Sequence, residues 1–200
     1  MTNQTVHILN GDALRERFPY QDSSAVNHKR QKDVQNVQNA GVPHVRPNTQ
    51  HPIVIVMREC LVDGDLSGEI PEPGGTVTNN PSSFYHVRAN YLEVAYGATT
   101  FEAYVAGSVS EFERIQRLPH GSEVHLWFED DLFCQVNAWF AVYLLLRSTR
   151  GVSRQHSLYL VRPAEHTSRG FGGLTDQALR QAMNNKIRLH QPEKLAVTKH

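Results

Sequence analysis

The stretch "IVIVM", from Ile53 to Met57, constrains the fold of this chain more than any other feature of the sequence. It is apolar at every position, whereas a strand with one face in water alternates apolar and polar side chains. A strand that is apolar on both faces must be covered on both sides, as the strands of a parallel sheet are. The stretch therefore predicts a central strand with helices above and below it.

Strand-like and helix-like patterns alternate along the rest of the chain. The predicted strands are "TVHIL", "IVIVM", "EVHLWF" and "SLYLV". The predicted helices are "ALRERF", "SSFYHVRANYLEVAYG", "TTFEAYVAGSVSEFERIQR", the apolar stretch from Leu132, and "GGLTDQALRQAMNNKI". This alternation predicts a three-layer α/β fold, Rossmann-like or flavodoxin-like, with a mostly parallel sheet and helices on both faces.

The 200 residues suffice for one domain with a sizeable core, and we predict a single α/β domain over residues 1–190. Residues 20–50 are rich in Gln, Asn, His and Lys with few large apolar side chains, which predicts a disordered insertion. Residues 191–200 are predicted to form a tail without a clear pattern.

Charge and cysteine content disfavour several classes of protein. Twenty basic and twenty acidic residues leave no net charge, which disfavours nucleic acids and anionic membranes as partners. Two cysteines outside any paired motif cannot form a disulfide framework, and no apolar stretch is long enough to span a bilayer. We therefore expect a cytoplasmic protein without a membrane partner. The oligomeric state stays open.

Polar residues follow each predicted strand, at the edge where parallel α/β sheets bind their ligands. Asp12 follows the first strand, the pair Arg58 and Glu59 the second, and the acids Glu129–Asp131 the third. Arg162 and His166 follow the fourth. The carboxyl ends of the strands are therefore the predicted site.

Each of these residues also has a purely structural interpretation. Asp12 and Asp131 are each placed to cap a helix, and Arg58 and Glu59 are placed to form ion pairs with neighbouring helices. Arg88, beside an apolar helix stripe, needs a partner such as Glu59 or Asp130.

Gln135 lies one turn beyond Asp131 and points the same way, toward the predicted crevice. Cys134 beside it is either a buried packing residue or a thiol whose pKa is lowered by the helix N-terminus. A carboxylate set of Asp12, Glu59 and Asp131 would suit Mg²⁺, but the nucleotide-binding and zinc signatures are missing from the sequence. The sequence identifies no cofactor.

Four stretches together resemble the bacterial family known as domain of unknown function eighteen-thirty-five. They are "HILNGDAL", "VMREC", "FYHVRANYL" and "EVHLWFEDDLFCQVNAW". The resemblance covers His7 to about Leu189 except residues 20–50, and Met57 stands where the family usually has tryptophan. It marks motif positions without assigning them an activity, because the family has none established. These positions are Asp12, Arg58, Glu59, Arg88, Glu129, Asp131 and Gln135.

Three functions remain open at this point. In the first, the domain binds a small anionic or nucleotide-like ligand and acts as a transferase or hydrolase. Glu59 or Asp131 would then be the general base or metal ligand, Arg58 and Arg88 would hold the anion, and Asp12, Glu129 and Gln135 would complete the site. In the second, the charges form an internal network in a non-catalytic regulatory or interaction module. The third, nucleic-acid binding through Lys29, Arg30 and Lys32, is the least supported.

Overall fold

The computed structural model describes residues 4–18, 52–72, 80–97, 100–148, 156–164 and 170–190. The predicted insertion at 20–50 and the tail at 191–200 lie outside the described residues, as do Lys29, Arg30, Lys32 and His166.

Within these described ranges, five strands form one sheet in the order β2-β1-β3-β4-β5. The strands are β1 (Thr5–Asn10), β2 (Ile53–Met57), β3 (Glu123–Trp127), β4 (Ser157–Val161) and β5 (Ile187–Arg188). The first four are parallel, and β5 pairs antiparallel with β4. The mostly parallel sheet predicted from the sequence is confirmed.

In the part of the chain that the structure describes, six helices pack around the sheet. They are α1 (Asp12–Glu16), α2 (Phe84–Tyr96), α3 (Phe101–Tyr104), α4 (Ser110–Gln116), α5 (Leu132–Ser148) and α6 (Asp176–Asn184). A π-helical turn (Val105–Val109) joins α3 to α4, and a 3-10 turn (Gly170–Gly173) precedes α6. Gly97 ends α2 in the left-handed region, with φ 62°, as the predicted break requires.

Alternate residues of each strand feed two separate cores. On one face, Val124 and Leu126 of β3 pack in a core with residues of α2, α4 and α5. On the other face, Trp127 packs with residues of α1, the 3-10 turn and α6. Burial on both faces explains why "IVIVM" contains no polar position. The three-layer arrangement is therefore confirmed.

Two local predictions are wrong. The last helix was expected to run to Ile187, but it ends at Asn184 and Ile187 pairs with Leu160 of β4. Pairing with the open edge of β4 satisfies backbone groups that a longer helix would leave exposed there. Asp12 was expected to cap α1, but Gly11 occupies the cap position and Asp12 is the first helical residue.

The strand order places a topological switch point between β1 and β3. The chain goes from β1 outward to β2 with α1 on one face, then returns past β1 to β3 with α2 to α4 on the other face. The connections after β1 and β3 therefore leave in different directions and open a crevice between the carboxyl ends of these strands. Among the described residues, no helix combines the length and apolarity that crossing a membrane requires.

Candidate functional site

The candidate site is the β1–β3 junction, where Asn10 and Gly11 end one strand and Glu129 to Asp131 follow the other. Gly11 has φ 83° and donates its N–H to the Met57 carbonyl at 2.9 Å. Apart from Gly11 itself and its neighbours along the chain, no atom of the described residues lies within 4 Å of the place that a Cβ on Gly11 would occupy. The backbone at Gly11 is therefore open to a close approach, and its φ favours glycine.

Three potential metal ligands meet on the β3 side of the junction. One ligand atom each from Glu129, Asp131 and Cys134 lies within 4.8 Å of the others. Two carboxylates and a thiol form a mixed donor set that would suit a divalent transition metal better than Mg²⁺, which prefers oxygen alone. These three side chains are close enough together to share one metal ion.

Backbone groups already orient two of these side chains. Glu129 Oε1 accepts a hydrogen bond of 2.8 Å from the Phe171 N–H, and a Cβ on Gly170 would overlap the Glu129 carboxylate. Asp131 Oδ1 accepts from the Cys134 N–H at 2.9 Å, which confirms that Asp131 caps α5. Each contact uses one oxygen of its carboxylate, and Asp131 is exposed.

The thiol of Cys134 is not activated. Burial, and next the hydrogen bond with Asp131, raise the pKa of Cys134 to about 12, which favours the buried packing residue over the activated thiol among the two interpretations of Cys134. Although burial opposes the change, hydrogen bonds from Cys134 leave the pKa of Asp131 below its ordinary value. Asp131 is therefore ionised at neutral pH, whereas Cys134 stays a thiol unless a metal displaces its proton.

Two asparagines connect the junction to the end of β2. The amide of Asn10 donates to Cys134 Sγ at 2.9 Å. The fully buried Asn137 donates to Asn10 Oδ1 at 3.0 Å and to the Glu59 carbonyl at 2.7 Å. Sequence reasoning missed both residues, although a lone amide within the apolar α5 was a usable signal because buried amides require partners.

Gln135 supports the backbone of the acidic loop. Its side-chain amide donates to the Glu129 carbonyl at 2.5 Å. Gln135 and Asp131 therefore both lie at the start of α5, beside Glu129. Asp130 points to β4 instead, where it forms an ion pair of 2.9 Å with Arg162.

Glu59 lies away from solvent in a closed cluster with Arg88 and Tyr104. Arg88 Nη2 is 3.1 Å from Glu59 Oε2, and both side chains are fully buried. The Tyr104 hydroxyl donates to Glu59 Oε1, and the Cys60 N–H donates to Oε2 at 3.0 Å. Arg88 also donates to the carbonyls of Cys60 and Asp63. Both oxygens of the Glu59 carboxylate are therefore occupied.

Arg58 lies on the opposite side, in an open cluster of three arginines and two acids. It binds Asp12 through two hydrogen bonds of 2.7 and 2.8 Å, and its Nη1 is 3.6 Å from Glu111. Arg114 and Arg15 also reach Glu111, at 2.5 and 3.9 Å. The hydrogen bond from Arg58 lowers the pKa of Asp12. The open cluster carries one more positive than negative charge.

The predicted site residues thus fall into three groups. Asp12 pairs with Arg58, Glu59 pairs with Arg88, and Glu129 lies with Asp131 and Gln135. The Mg²⁺ set of Asp12, Glu59 and Asp131 does not form, because the first two bind different arginines. The third group lies at the β1–β3 junction, and the open cluster adjoins it through Asp12, which follows Gly11 in the chain.

Comparison of the chain with protein-family models, with curated proteins and with solved structures finds no match in any of the three. The resemblance to domain of unknown function eighteen-thirty-five therefore stays a prediction.

Proposed function

We propose that this domain binds a small polar ligand with an anionic group at the β1–β3 junction and acts on it as a transferase or hydrolase. The observation that carries the proposal is the open backbone of Gly11 next to the open cluster, with its surplus positive charge. Backbone approach and a guanidinium are what a phosphate or carboxylate requires. A nucleotide fits this description.

The accessible residues of the junction take the chemical roles. Arg58, whose side chain is 28% exposed, would exchange Asp12 for the anion of the ligand. Asp131 would act as general base or, with Glu129 and Cys134, as metal ligand. Glu59 and Arg88 cannot touch a ligand without opening the closed cluster, so their role is to hold β2 and α2 together.

Calorimetric titration of the purified protein with inorganic phosphate and with ATP, each with and without Mg²⁺ or Zn²⁺, tests this proposal. Replacing Arg58→Gln should weaken the binding of these probes about tenfold or more, because it removes a charge-assisted contact. Arg117→Gln is the matched control, since Arg117 pairs with Glu113 on α4, outside the open cluster. Equal affinities for the two variants would contradict the proposed site.

The second candidate is a non-catalytic regulatory or protein-interaction module. The closed cluster favours it, because Glu59 and Arg88 satisfy each other instead of facing a pocket. Hydrolysis of ATP and of p-nitrophenyl phosphate by the parent protein and by Asp131→Asn separates the candidates. Turnover that disappears in Asp131→Asn supports the enzyme, and binding without turnover in either protein supports the module.

We also propose that the chain belongs to the bacterial family of domain of unknown function eighteen-thirty-five, on the strength of "LWFEDDLFCQ" and the three other stretches. A cytoplasmic location is proposed from the two free cysteines. Both proposals rest on the sequence.

A further inference from the structure

The guanidinium of Arg58 has two edges, and they face different partners. Nε and Nη2 form one edge, which binds the two oxygens of Asp12 at 2.7 and 2.8 Å. Nη1, at the other edge, lies 3.6 Å from Oε1 of Glu111. The Asp12 side chain is 55% exposed, whereas the Glu111 side chain is 9% exposed. Water can therefore hydrate Asp12 when it leaves Arg58, and Glu111 stays enclosed behind the guanidinium.

Glu111, on α4, gathers three arginines around its carboxylate. Besides its contact with Arg58, it accepts a hydrogen bond from Arg114 and lies 3.9 Å from Arg15 Nη1. Arg114 Nη2 also donates to the Val54 carbonyl at 2.9 Å, which ties this arrangement to β2. The open edge of Arg58 is therefore oriented before any ligand binds, and this reduces the conformational entropy that binding costs.

Arg15 is the member of the open cluster best placed to move. Its side chain is 43% exposed, and its contact with Glu111 is the longest ion pair in the cluster. The hydrogen bond from Arg58 is the main cause of the lowered pKa of Asp12, and the charge of Arg15 adds to it. Both arginines therefore act on the position of the Asp12 carboxylate, and an anion that takes this position meets both.

Charge distinguishes between the anions that fit this position. With Asp12 displaced into water, three arginines of the open cluster face the single carboxylate of Glu111. A ligand carboxylate has one charge and uses both of its oxygens on the open edge of Arg58. A phosphate monoester is a dianion above its second pKa of about 6, and it has a third free oxygen for Arg15. The monoester matches the cluster better both in charge and in number of acceptors.

We propose that the ligand carries a phosphate monoester, which displaces Asp12 from Arg58 and draws in Arg15. Asp12 is then an internal competitor that occupies the anion position until the ligand arrives. Glu111 is a positioning residue, because it holds the far edge of the Arg58 guanidinium. This inference rests on the proposed function, since it names the anionic group that the domain binds.

NMR titration of isotope-labelled protein, read at the arginine Nε–Hε signals, tests the charge preference. At about pH 8, methyl phosphate is a dianion, dimethyl phosphate is a monoanion of the same tetrahedral shape, and acetate is a planar monoanion. Methyl phosphate should bind about tenfold more tightly than the other two. Equal affinities that all disappear in Arg58→Gln overturn this inference and leave the proposed function intact. Absence of binding for all three ligands contradicts both.

Asp12→Asn gives the second test, because it removes the charge of the internal competitor. It should raise the affinity for methyl phosphate about threefold, the size expected for one exposed ion pair. Glu113→Gln is the matched control, since it neutralises an acid that pairs with Arg117, outside the open cluster. The control should leave the affinity unchanged. An affinity in Asp12→Asn that is equal to or below that of the control overturns the inference.

Arg15→Gln tests the second arginine. It should lower the affinity for methyl phosphate about threefold or more and leave dimethyl phosphate nearly unchanged, because the diester has no third free oxygen. Arg180→Gln is the matched control, since it removes the same charge from an exposed position on α6, outside the open cluster. An equal loss of affinity for both phosphates in Arg15→Gln would show only a general effect of charge and would overturn the inference.

Discussion

The closed and open clusters begin at adjacent residues and differ in almost every physical respect. Glu59 is enclosed with Arg88 and Tyr104, and no side chain of the pair reaches solvent. Arg58, one residue earlier, points to the other side, where its partner Asp12 is 55% exposed. Successive side chains at a strand end point to opposite faces, so one residue enters a core and the next reaches water.

The difference shows that charge at the end of a parallel strand is not by itself a sign of a site. The closed cluster holds β2 against α2, and removing either partner would leave a buried charge without compensation. In the open cluster, a ligand can replace one ion-pair partner of an arginine at little cost in free energy, because the displaced side chain is hydrated by solvent. A ligand-binding role therefore suits the residues whose own contacts are weak.

The largest expected effect follows from opening the closed cluster. Arg88→Met should lower the free energy of unfolding by about 3–5 kcal/mol, because it leaves the Glu59 carboxylate buried without a cation. Urea denaturation measures this loss. Arg147→Met is the matched control, since its partner Glu72 is 81% exposed and stays hydrated after the substitution. Equal losses for the two variants would remove the distinction between buried and solvated partners.

Acid should destabilise the protein through another buried group, His7. Burial, with a smaller contribution from His125, lowers the pKa of His7 from 6.5 to about 3. Below pH 6.5 the unfolded chain therefore binds a proton that the folded chain refuses, and stability falls as the pH drops toward 3. We expect a loss of about 2 kcal/mol between pH 6.5 and 5. Urea midpoints should show this slope, and His7→Gln should reduce it.

Asp131 should be intermediate, because it is exposed and yet caps α5. Asp131→Ala should cost about 1 kcal/mol through loss of the hydrogen bond to the Cys134 N–H. Asp131→Asn should cost less, since asparagine caps helices equally well. If Asp131→Asn raises the urea midpoint, the repulsion between Asp131 and its neighbours Glu129 and Asp130 outweighs the stabilisation that the Asp131 charge gives to the start of α5. That outcome is expected for acids that are retained for function.

The smallest effect is expected in the open cluster. Arg58→Gln should change the free energy of unfolding by about 1 kcal/mol or less, because the pair with Asp12 is solvated. The change should shrink further in high salt, which screens exposed charges. A loss that is large and independent of salt would show that Arg58 is structural and would weaken the proposed anion site.

The extent of prediction differs between fold and site. Apolar periodicity located the four parallel strands and the two-sided covering of the sheet. It also indicated that Arg88, beside an apolar stripe, requires a carboxylate, but it left Glu59 and Asp130 open, and the structure pairs Arg88 with Glu59. The periodicity could not show that Gly11 rather than Asp12 caps α1, nor that Ile187 leaves α6 to pair with β4. Both outcomes depend on competing partners, Arg58 for Asp12 and the edge of β4 for Ile187.

By itself, the sequence determined the layers of this protein and the edge of the sheet where polar residues gather, because periodicity and strand-end position are local properties. The tertiary structure alone decided which of those residues are open. Whether a carboxylate meets a buried arginine, as Glu59 does, or faces water, as Asp131 does, depends on how distant elements pack around it. Burial is a property of the assembled layers, and it separates the residues that hold the fold from those free to bind.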